Sequence, residues 1–257
     1  MTFSRRAARG HEAVLLRKKS LGCRLRIATL CLALAIPVVA AQAAPESASA
    51  ARADVVDVAV IGDSLANDLG SGMEDLFRNK RSVRVIKRTR HATGLMRDDY
   101  FNWNAALRKF IARSDADAIV IMIGGNDAQT VRVKGRRLTR FTRPWLAEYE
   151  RRVALFMRIL KQAHTNVYWV GLPVVRSDKM SRNFRTMNRI FRTQAARYGI
   201  TFVSIWSDFA DSSGDYTSFG RSVRGVKRQL RKNDGMHFTT AGTLRLAARV
   251  ASAIGIH

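Results

Sequence analysis

The stretch VVDVAVIGDSL at residues 55–65 joins a valine-rich apolar run to a Gly-Asp-Ser turn. A short apolar run that ends in a turn signal predicts a buried β-strand. Ser64 stands where a following helix would begin, so its hydroxyl would be held at the edge of a sheet and its N–H would point outward. The stretch therefore predicts the first strand and turn of an α/β fold, with Ser64 as a candidate nucleophile.

Strand and helix patterns alternate along the rest of the chain. Further strands are predicted at residues 83–86, 118–123, 167–172 and 200–205. Helices are predicted at residues 67–77, 105–112, 144–164, 184–198 and 240–254. The run at 118–123 is apolar throughout, which suits a sheet covered on both faces. The alternation predicts one α/β domain, a three-layer α/β/α sandwich with a five-stranded parallel sheet and right-handed crossovers.

The N-terminus has the pattern of a secretory signal peptide. Residues 1–26 carry eight Lys or Arg residues against the single acid Glu12, and an uninterrupted apolar run follows at 27–40. That run is short for a hydrocarbon core of about 30 Å, and the small residues Ala-Gln-Ala follow it at 41–43. We expect cleavage near Ala43 and a periplasmic or secreted protein without a stable membrane span after processing. An uncleaved anchor is the alternative.

Composition divides the remaining chain into a short linker and a basic domain. Residues 44–53 are small and polar and predict a flexible linker, which leaves residues 54–257 as the folded domain. The net charge is +25, and because residues 1–43 hold eight of the 45 basic and one of the 20 acidic residues, processing would leave +18. Cys23 and Cys31 both lie in the leader, so the processed chain would have neither a disulfide nor a thiolate metal site.

Two more polar clusters lie beside predicted elements. Gly124-Gly125-Asn126-Asp127 follows the third strand, and Asn126 offers an amide donor suited to an oxyanion. Asp234-Gly235-Met236-His237 precedes the last helix, where a carboxylate three residues before a histidine can orient the ring and leave its other nitrogen free to take a proton. Each cluster alone could be a turn or a helix cap. With Ser64 at the same sheet edge, they supply a nucleophile, an oxyanion donor, a base and an orienting acid.

These motifs resemble those of the SGNH (GDSL-type) hydrolases, over nearly all of residues 55–255. The first block stands at 62–65 as Gly-Asp-Ser-Leu, the third at 124–127 as Gly-Gly-Asn-Asp, and the fifth at 234–237 as Asp-Gly-Met-His. Gly94 fits the glycine of the second block. The segment that includes the fifth block is also similar to a poorly characterised exported bacterial branch.

The resemblance implies a flavodoxin-like SGNH hydrolase fold and a set of roles. Ser64 would be the nucleophile, His237 the general base and Asp234 the residue that orients it. The oxyanion hole would consist of the N–H groups of Ser64 and Gly94 and the side-chain amide of Asn126. Neither a metal nor another cofactor is implied.

The function predicted on this basis is that of an exported serine ester hydrolase, acting through an acyl-enzyme on an acyl or acetyl ester of an envelope carbohydrate or lipid. One alternative is an O-acyltransferase that acts on a periplasmic or extracellular glycan. Another is a non-catalytic protein that binds an envelope polymer. A positive net charge attracts anions, so an anionic polymer is a candidate partner. Nucleic acid is not expected as a partner, because export takes the protein away from it and the sequence has no recognised nucleic-acid-binding motif.

The basic segments 129–143 and 211–234 interrupt the strand–helix alternation and are expected to be functional loops at the same sheet edge. Part of 221–232 could form a short amphipathic helix with inward-facing Val223, Val226 and Leu230, acting as a lid. His91 lies near the proposed site and is a candidate substrate contact, because loops at this sheet edge carry binding residues.

Overall fold

The protein is described here from a computed structural model, which covers residues 55–256. The predicted signal peptide and linker, residues 1–53, lie outside the described residues. Nine strands are found in the described part, β1 to β9: Val56–Gly62, Val83–Thr89, Ala118–Met122, Val131–Val133, Arg136–Leu138, Asn166–Val170, Thr201–Val203, Phe219–Arg221 and Lys227–Gln229. The helices α1 to α5 span Ser64–Leu76, Trp103–Ile111, Arg143–Leu160, Asp178–Tyr198 and Thr240–Ile254.

The central sheet has five parallel strands in the order β2-β1-β3-β6-β7. Strands β1 and β3 lie inside it, and Val58 of β1 is in register with Val85 on one side and Ala118 on the other. Every residue of β3 is buried, because helices cover both faces of the sheet. This order, in chain sequence 2-1-3-4-5, is that of flavodoxin-like folds. The predicted three-layer α/β/α sandwich with a five-stranded parallel sheet is confirmed.

The helices form two groups, α1 with α5 and α2 with α3 and α4. The packing of α1 on α5 is close at Gly72, where a Cβ atom would lie 2.2 Å from the carbonyl oxygen of Thr243. Helix α5 begins where the sequence predicts it, with the Thr239 side chain accepting a hydrogen bond from the N–H of Gly242. The close contact at Gly72 fixes the helix of Ser64 against the C-terminal helix.

Helix α4 begins six residues before the predicted start at 184. Its N-cap is Ser177, whose hydroxyl accepts a hydrogen bond from the N–H of Met180. The first turns of α4 carry few apolar residues, so apolar periodicity does not reveal them. The Ser177 cap and the acidic Asp178 in the first turn stabilise a helix start at this position.

Both segments predicted as long loops contain β-hairpins. Strands β4 and β5 pair within 129–143, and β8 and β9 pair within 211–234. The predicted amphipathic helix within 221–232 is wrong: Val223 and Val226 are exposed, and only Leu230 is buried. Gly225, at φ +76°, makes the turn between the strands. No helix among residues 55–256 combines the length and the apolar character needed to cross a membrane.

Candidate active site

Ser64 is the first residue of α1 and follows β1 at the carboxyl edge of the sheet. The edge is where strand order reverses between β1 and β3, the position at which open α/β sheets bind ligands. The side chain of Asp63 caps the helix by accepting a hydrogen bond from the N–H of Leu65 at 2.9 Å. Ser64 itself is largely buried, with 7% of its surface exposed. The strand end and the cap together fix the position of its hydroxyl.

The structure brings Ser64, His237 and Asp234 together. The Nε2 atom of His237 lies 2.9 Å from Ser64 Oγ, and its Nδ1 atom lies 2.7 Å from Asp234 Oδ2. This is the arrangement in which a carboxylate holds an imidazole in the tautomer that accepts a proton from a serine. The three side chains therefore form a hydrogen-bonded chain from the hydroxyl through the imidazole to the carboxylate.

The Asp234 carboxylate also organises the turn on which it stands. Its Oδ1 atom accepts hydrogen bonds from the N–H groups of Met236 at 2.8 Å and His237 at 2.9 Å. Partial burial by itself would raise the pKa of Asp234, but these N–H groups and the His237 ring outweigh it and lower the pKa to about 2. Asp234 is thus an anion at neutral pH, as an orienting acid must be.

The same turn requires a glycine at position 235. Gly235 has φ +72°, and a Cβ atom there would lie 2.5 Å from the Cβ of Arg176. Arg176 binds this turn through two hydrogen bonds: its N–H donates to the carbonyl of Gly235 and its guanidinium to the carbonyl of Asn233. The loop after β6, which carries Arg176, therefore supports the turn that carries Asp234 and His237.

Asp68 connects the helix of Ser64 to the turn of His237. It lies one turn after Ser64 on α1, is 8% exposed, and accepts a hydrogen bond at 3.0 Å from the N–H of Phe238, the residue after His237. Because the two residues are 170 positions apart in sequence, no local sequence pattern predicts this hydrogen bond. It fixes how far the His237 ring lies from Ser64.

A buried arginine supports the turn from behind. Arg231 is fully buried and donates hydrogen bonds to the carbonyl groups of Val174 and Met236. Its guanidinium also lies 4.6 Å from the centre of the Phe238 ring. Burial lowers the pKa of Arg231 to about 10, a value at which the side chain is still cationic at neutral pH.

The predicted oxyanion donors come from three segments. Among the described residues, no acceptor binds the N–H groups of Ser64 or Gly94. The Nδ2 atom of Asn126 donates to the carbonyl of Thr93 at 2.9 Å. Because an amide nitrogen carries two hydrogens, this bond orients the Asn126 side chain and leaves one hydrogen free. All three donors remain able to bind a developing negative charge.

Asp127 builds the loop that carries Gly94. It is fully buried, and its carboxylate accepts hydrogen bonds from the N–H groups of Leu95 at 3.0 Å and Met96 at 2.8 Å and from the Tyr149 hydroxyl at 3.1 Å. Burial raises the pKa of Asp127, although these three donors oppose the rise. Asp127 therefore holds the second block against the third.

Arg152 of α3 binds the same loop from the other side. Its guanidinium donates to the carbonyl of Leu95 and to the carboxylates of Asp98 and Glu148. The loop with Gly94 is thus fixed by an aspartate from the β3 end and an arginine from a helix.

Asp63 has a similar role between the first and third blocks. Its Oδ2 atom accepts hydrogen bonds from the N–H groups of Gly124 at 3.0 Å and Gly125 at 2.9 Å. Full burial raises its pKa to about 6 against the opposing effect of these N–H groups. The sequence analysis assigned no role to Asp63, Asp127, Asp68 or Arg231. Asp63 and Asp127 stand at glycine-rich strand ends, which is the only local signal for them.

Other parts of the prediction lie around this site. His91 is exposed and makes no hydrogen bond with a described residue, so its contact with substrate stays a prediction. The Met236 side chain reaches the third block, since a Cβ atom on Gly125 would lie 2.8 Å from its Cε. The fifth block therefore packs directly against the third.

The model of the family described as "Protein of unknown function (DUF459)" matches residues 57–253. No curated protein matches the chain. Among solved structures, the acetylxylan esterase Axe2 from Geobacillus stearothermophilus is similar, with 18% identity and a TM-score of 0.56 over 79% of this chain and 95% of that one.

A GDSL-like lipase from Bacteroides thetaiotaomicron is similar as well, with 14% identity and a TM-score of 0.55 over 77% of this chain and 87% of that one. At these identities the likeness shows a shared fold. The predicted SGNH hydrolase fold is confirmed.

Proposed function

The chain belongs to the DUF459 family, and we propose that it is a serine ester hydrolase with Ser64 as its nucleophile. One observation carries the proposal: His237 lies 2.9 Å from Ser64 Oγ through Nε2 and 2.7 Å from Asp234 through Nδ1. A weak nucleophile needs an adjacent base that is itself oriented by a third group, and these three side chains meet that requirement.

In the first half of the proposed reaction, Ser64 Oγ attacks the carbonyl carbon of an ester while His237 Nε2 takes its proton. The tetrahedral intermediate collapses, the C–O bond to the alcohol breaks, and the imidazolium gives its proton to the departing alcohol oxygen. Asp234, anionic because its pKa is lowered to about 2, stabilises the imidazolium in between. The product of this half is an acyl-enzyme on Ser64.

In the second half, water takes the place of the alcohol. His237 removes a proton from the water, and the water oxygen attacks the acyl carbon. The bond between the acyl carbon and Ser64 Oγ then breaks, the acid leaves, and the imidazolium returns the proton to Ser64. In both halves the negative charge on the carbonyl oxygen would be bound by the N–H groups of Ser64 and Gly94 and by the free amide hydrogen of Asn126.

For the substrate, we propose an acyl or acetyl ester on an envelope carbohydrate or lipid. The predicted signal peptide supports an exported location, and the fold shared with an acetylxylan esterase supports an ester of a sugar. The side chains of Asp234 and His237 are 48% and 27% exposed. This access to water favours hydrolysis over the alternative of O-acyl transfer, which needs water to be excluded from the acyl-enzyme.

The test is turnover of p-nitrophenyl acetate by the purified wild-type protein and by Ser64→Ala. We expect steady turnover by the wild type and a loss of about 10⁶-fold in the variant. A fluorophosphonate probe should label Ser64 of the wild type alone. Equal turnover by both proteins would contradict the proposal, and a folded wild type that is neither active nor labelled would favour the non-catalytic binding protein. Acyl transfer to an added glycan in preference to water would favour the transferase.

A further inference from the structure

Helix α4 presents a row of exposed arginines beside aromatic rings. Arg182, Arg185, Arg189 and Arg192 recur at intervals of three or four residues, so they share one face of the helix. All four are exposed, and none forms an ion pair with any residue in the range 55–256. The row therefore presents four uncompensated positive charges on one face of a single helix.

Two of these arginines are held in place by aromatic rings. The Arg185 guanidinium lies 4.4 Å from the centre of the Trp206 ring, and that of Arg192 lies 5.1 Å from the centre of the Phe202 ring. With Arg189 they border a groove of about 260 Å³ between α4 and the end of β7. We call this the arginine groove. Stacking on a ring fixes the plane of a guanidinium while its N–H edge stays free for an anion.

A chain of contacts connects the arginine groove to the candidate active site. Arg185 and the Trp206 indole both donate hydrogen bonds to the carbonyl of Gly214. Two residues further on, the Tyr216 ring lies 5.7 Å from the guanidinium of Arg176. Arg176 in turn binds the turn of Asp234 and His237, as described above. A row of arginine–aromatic pairs thus leads from α4 to the base.

We propose that the arginine groove binds the carboxylate-bearing chain of an acidic polysaccharide and so presents an ester of that chain to Ser64. The presentation of an ester to Ser64 rests on the proposed function, whereas the binding of the polysaccharide does not. Guanidinium groups bind carboxylates through paired N–H donors. With a helix rise of 1.5 Å per residue, three or four residues separate successive arginines by about 5–6 Å, comparable with one sugar of an extended chain.

Two other polyanions fit this surface less well. Anchoring in a lipid bilayer takes apolar side chains that insert beside the basic groups, and the exposed large hydrophobic residues of the described part lie elsewhere: Val55, Tyr100, Phe219, Val223 and Val226. A single nucleic acid strand would need free ring faces on which bases stack, and Trp206 and Phe202 each have an arginine over one face.

The test is binding of polygalacturonate to the full chain carrying Ser64→Ala, measured by titration calorimetry beside neutral dextran and phosphatidylglycerol vesicles. Adding Arg185→Gln and Arg192→Gln should weaken polygalacturonate binding at least tenfold, and Arg189→Gln alone, whose guanidinium donates a hydrogen bond to the Thr186 hydroxyl, about threefold. The matched control is Arg81→Gln with Arg113→Gln, which removes the same charge at the opposite sheet edge and should change the affinity less than twofold.

Equal losses in both double variants, or unchanged binding in Arg189→Gln and in the groove double variant, would overturn the inference. Binding of vesicles without polygalacturonate would also overturn it. A wild type that binds polygalacturonate but lacks esterase activity would refute the proposed function and leave the groove's ligand established.

Discussion

The carboxylate of Asp68 accepts a hydrogen bond at 3.0 Å from the backbone N–H of Phe238 and thereby joins the helix of Ser64 to the turn of His237. Asp68→Ala would leave this buried N–H without an acceptor, at a cost of about 1–3 kcal/mol. We expect kcat for an aryl ester to fall by at least tenfold with little change in KM, because His237 loses its position relative to Ser64. Steady-state kinetics at several ester concentrations measures both constants.

Asp68→Asn is the control for this prediction. Its side-chain oxygen can still accept from the N–H of Phe238, so it should restore most of kcat. If the alanine and asparagine variants lose activity equally, the negative charge of Asp68 matters instead of the hydrogen bond.

Asn126→Ala should lower kcat by about 10²–10³-fold, the usual effect of removing one oxyanion donor. The variant also loses the bond to the Thr93 carbonyl, so its thermal unfolding must be measured beside its kinetics. A variant with wild-type kcat would exclude Asn126 from the oxyanion hole.

Gly94→Ala should damage the site through a steric clash. A Cβ atom at this position would lie 2.1 Å from Asp127 Oδ1, a separation that no packed structure tolerates, so the loop must move away from the carboxylate. We expect a lower kcat and a lower melting temperature. Gly135→Ala, where φ is +79° but a Cβ would meet nothing within 4 Å, is the control for a glycine replacement that strains the backbone without a clash, and a Gly94→Ala protein as active as this control would contradict the prediction.

The buried Asp63 should make stability depend on pH. Its pKa rises from 3.8 in a free side chain to about 6 in the folded protein, so between these values the folded state keeps a proton that the unfolded state releases. Its contribution to the free energy of unfolding is therefore complete below about pH 4 and is lost as pH rises through 6, by about 3 kcal/mol in total.

Asp63→Asn removes this titration while keeping the size of the side chain. We expect urea unfolding from pH 4 to pH 7 to show that the free energy of unfolding of the wild type, relative to that of Asp63→Asn, falls as pH rises. An advantage that stays constant across the range would mean that Asp63 does not titrate there.

Much of the fold could be predicted because its signals are local. The apolar run at 118–123 and the Thr239 cap before α5 mark a buried strand and a helix start without reference to the rest of the chain. Ser64, Asp234 and His237 could be found for the same reason, since each stands in a short motif beside such an element.

The supporting contacts could not be predicted because they depend on distant segments. Nothing near Asp68 or Arg231 in sequence shows that one would meet Phe238 and the other Val174. The hairpin at 219–229 was missed for a different reason. Val223, Val226 and Leu230 have the spacing of a helix face, but Gly225 in a left-handed conformation turns the chain back.

Asp234 and His237 stand on one turn, whereas Ser64 comes from the other end of the domain. The distance between the acid and the base is therefore set within four residues, whereas the distance between the imidazole and the serine hydroxyl depends on contacts between the two ends of the domain. A substitution that loosens one of those contacts, such as the hydrogen bond from Phe238 to Asp68, would separate the hydroxyl from its proton acceptor and leave the pairing of imidazole and carboxylate intact.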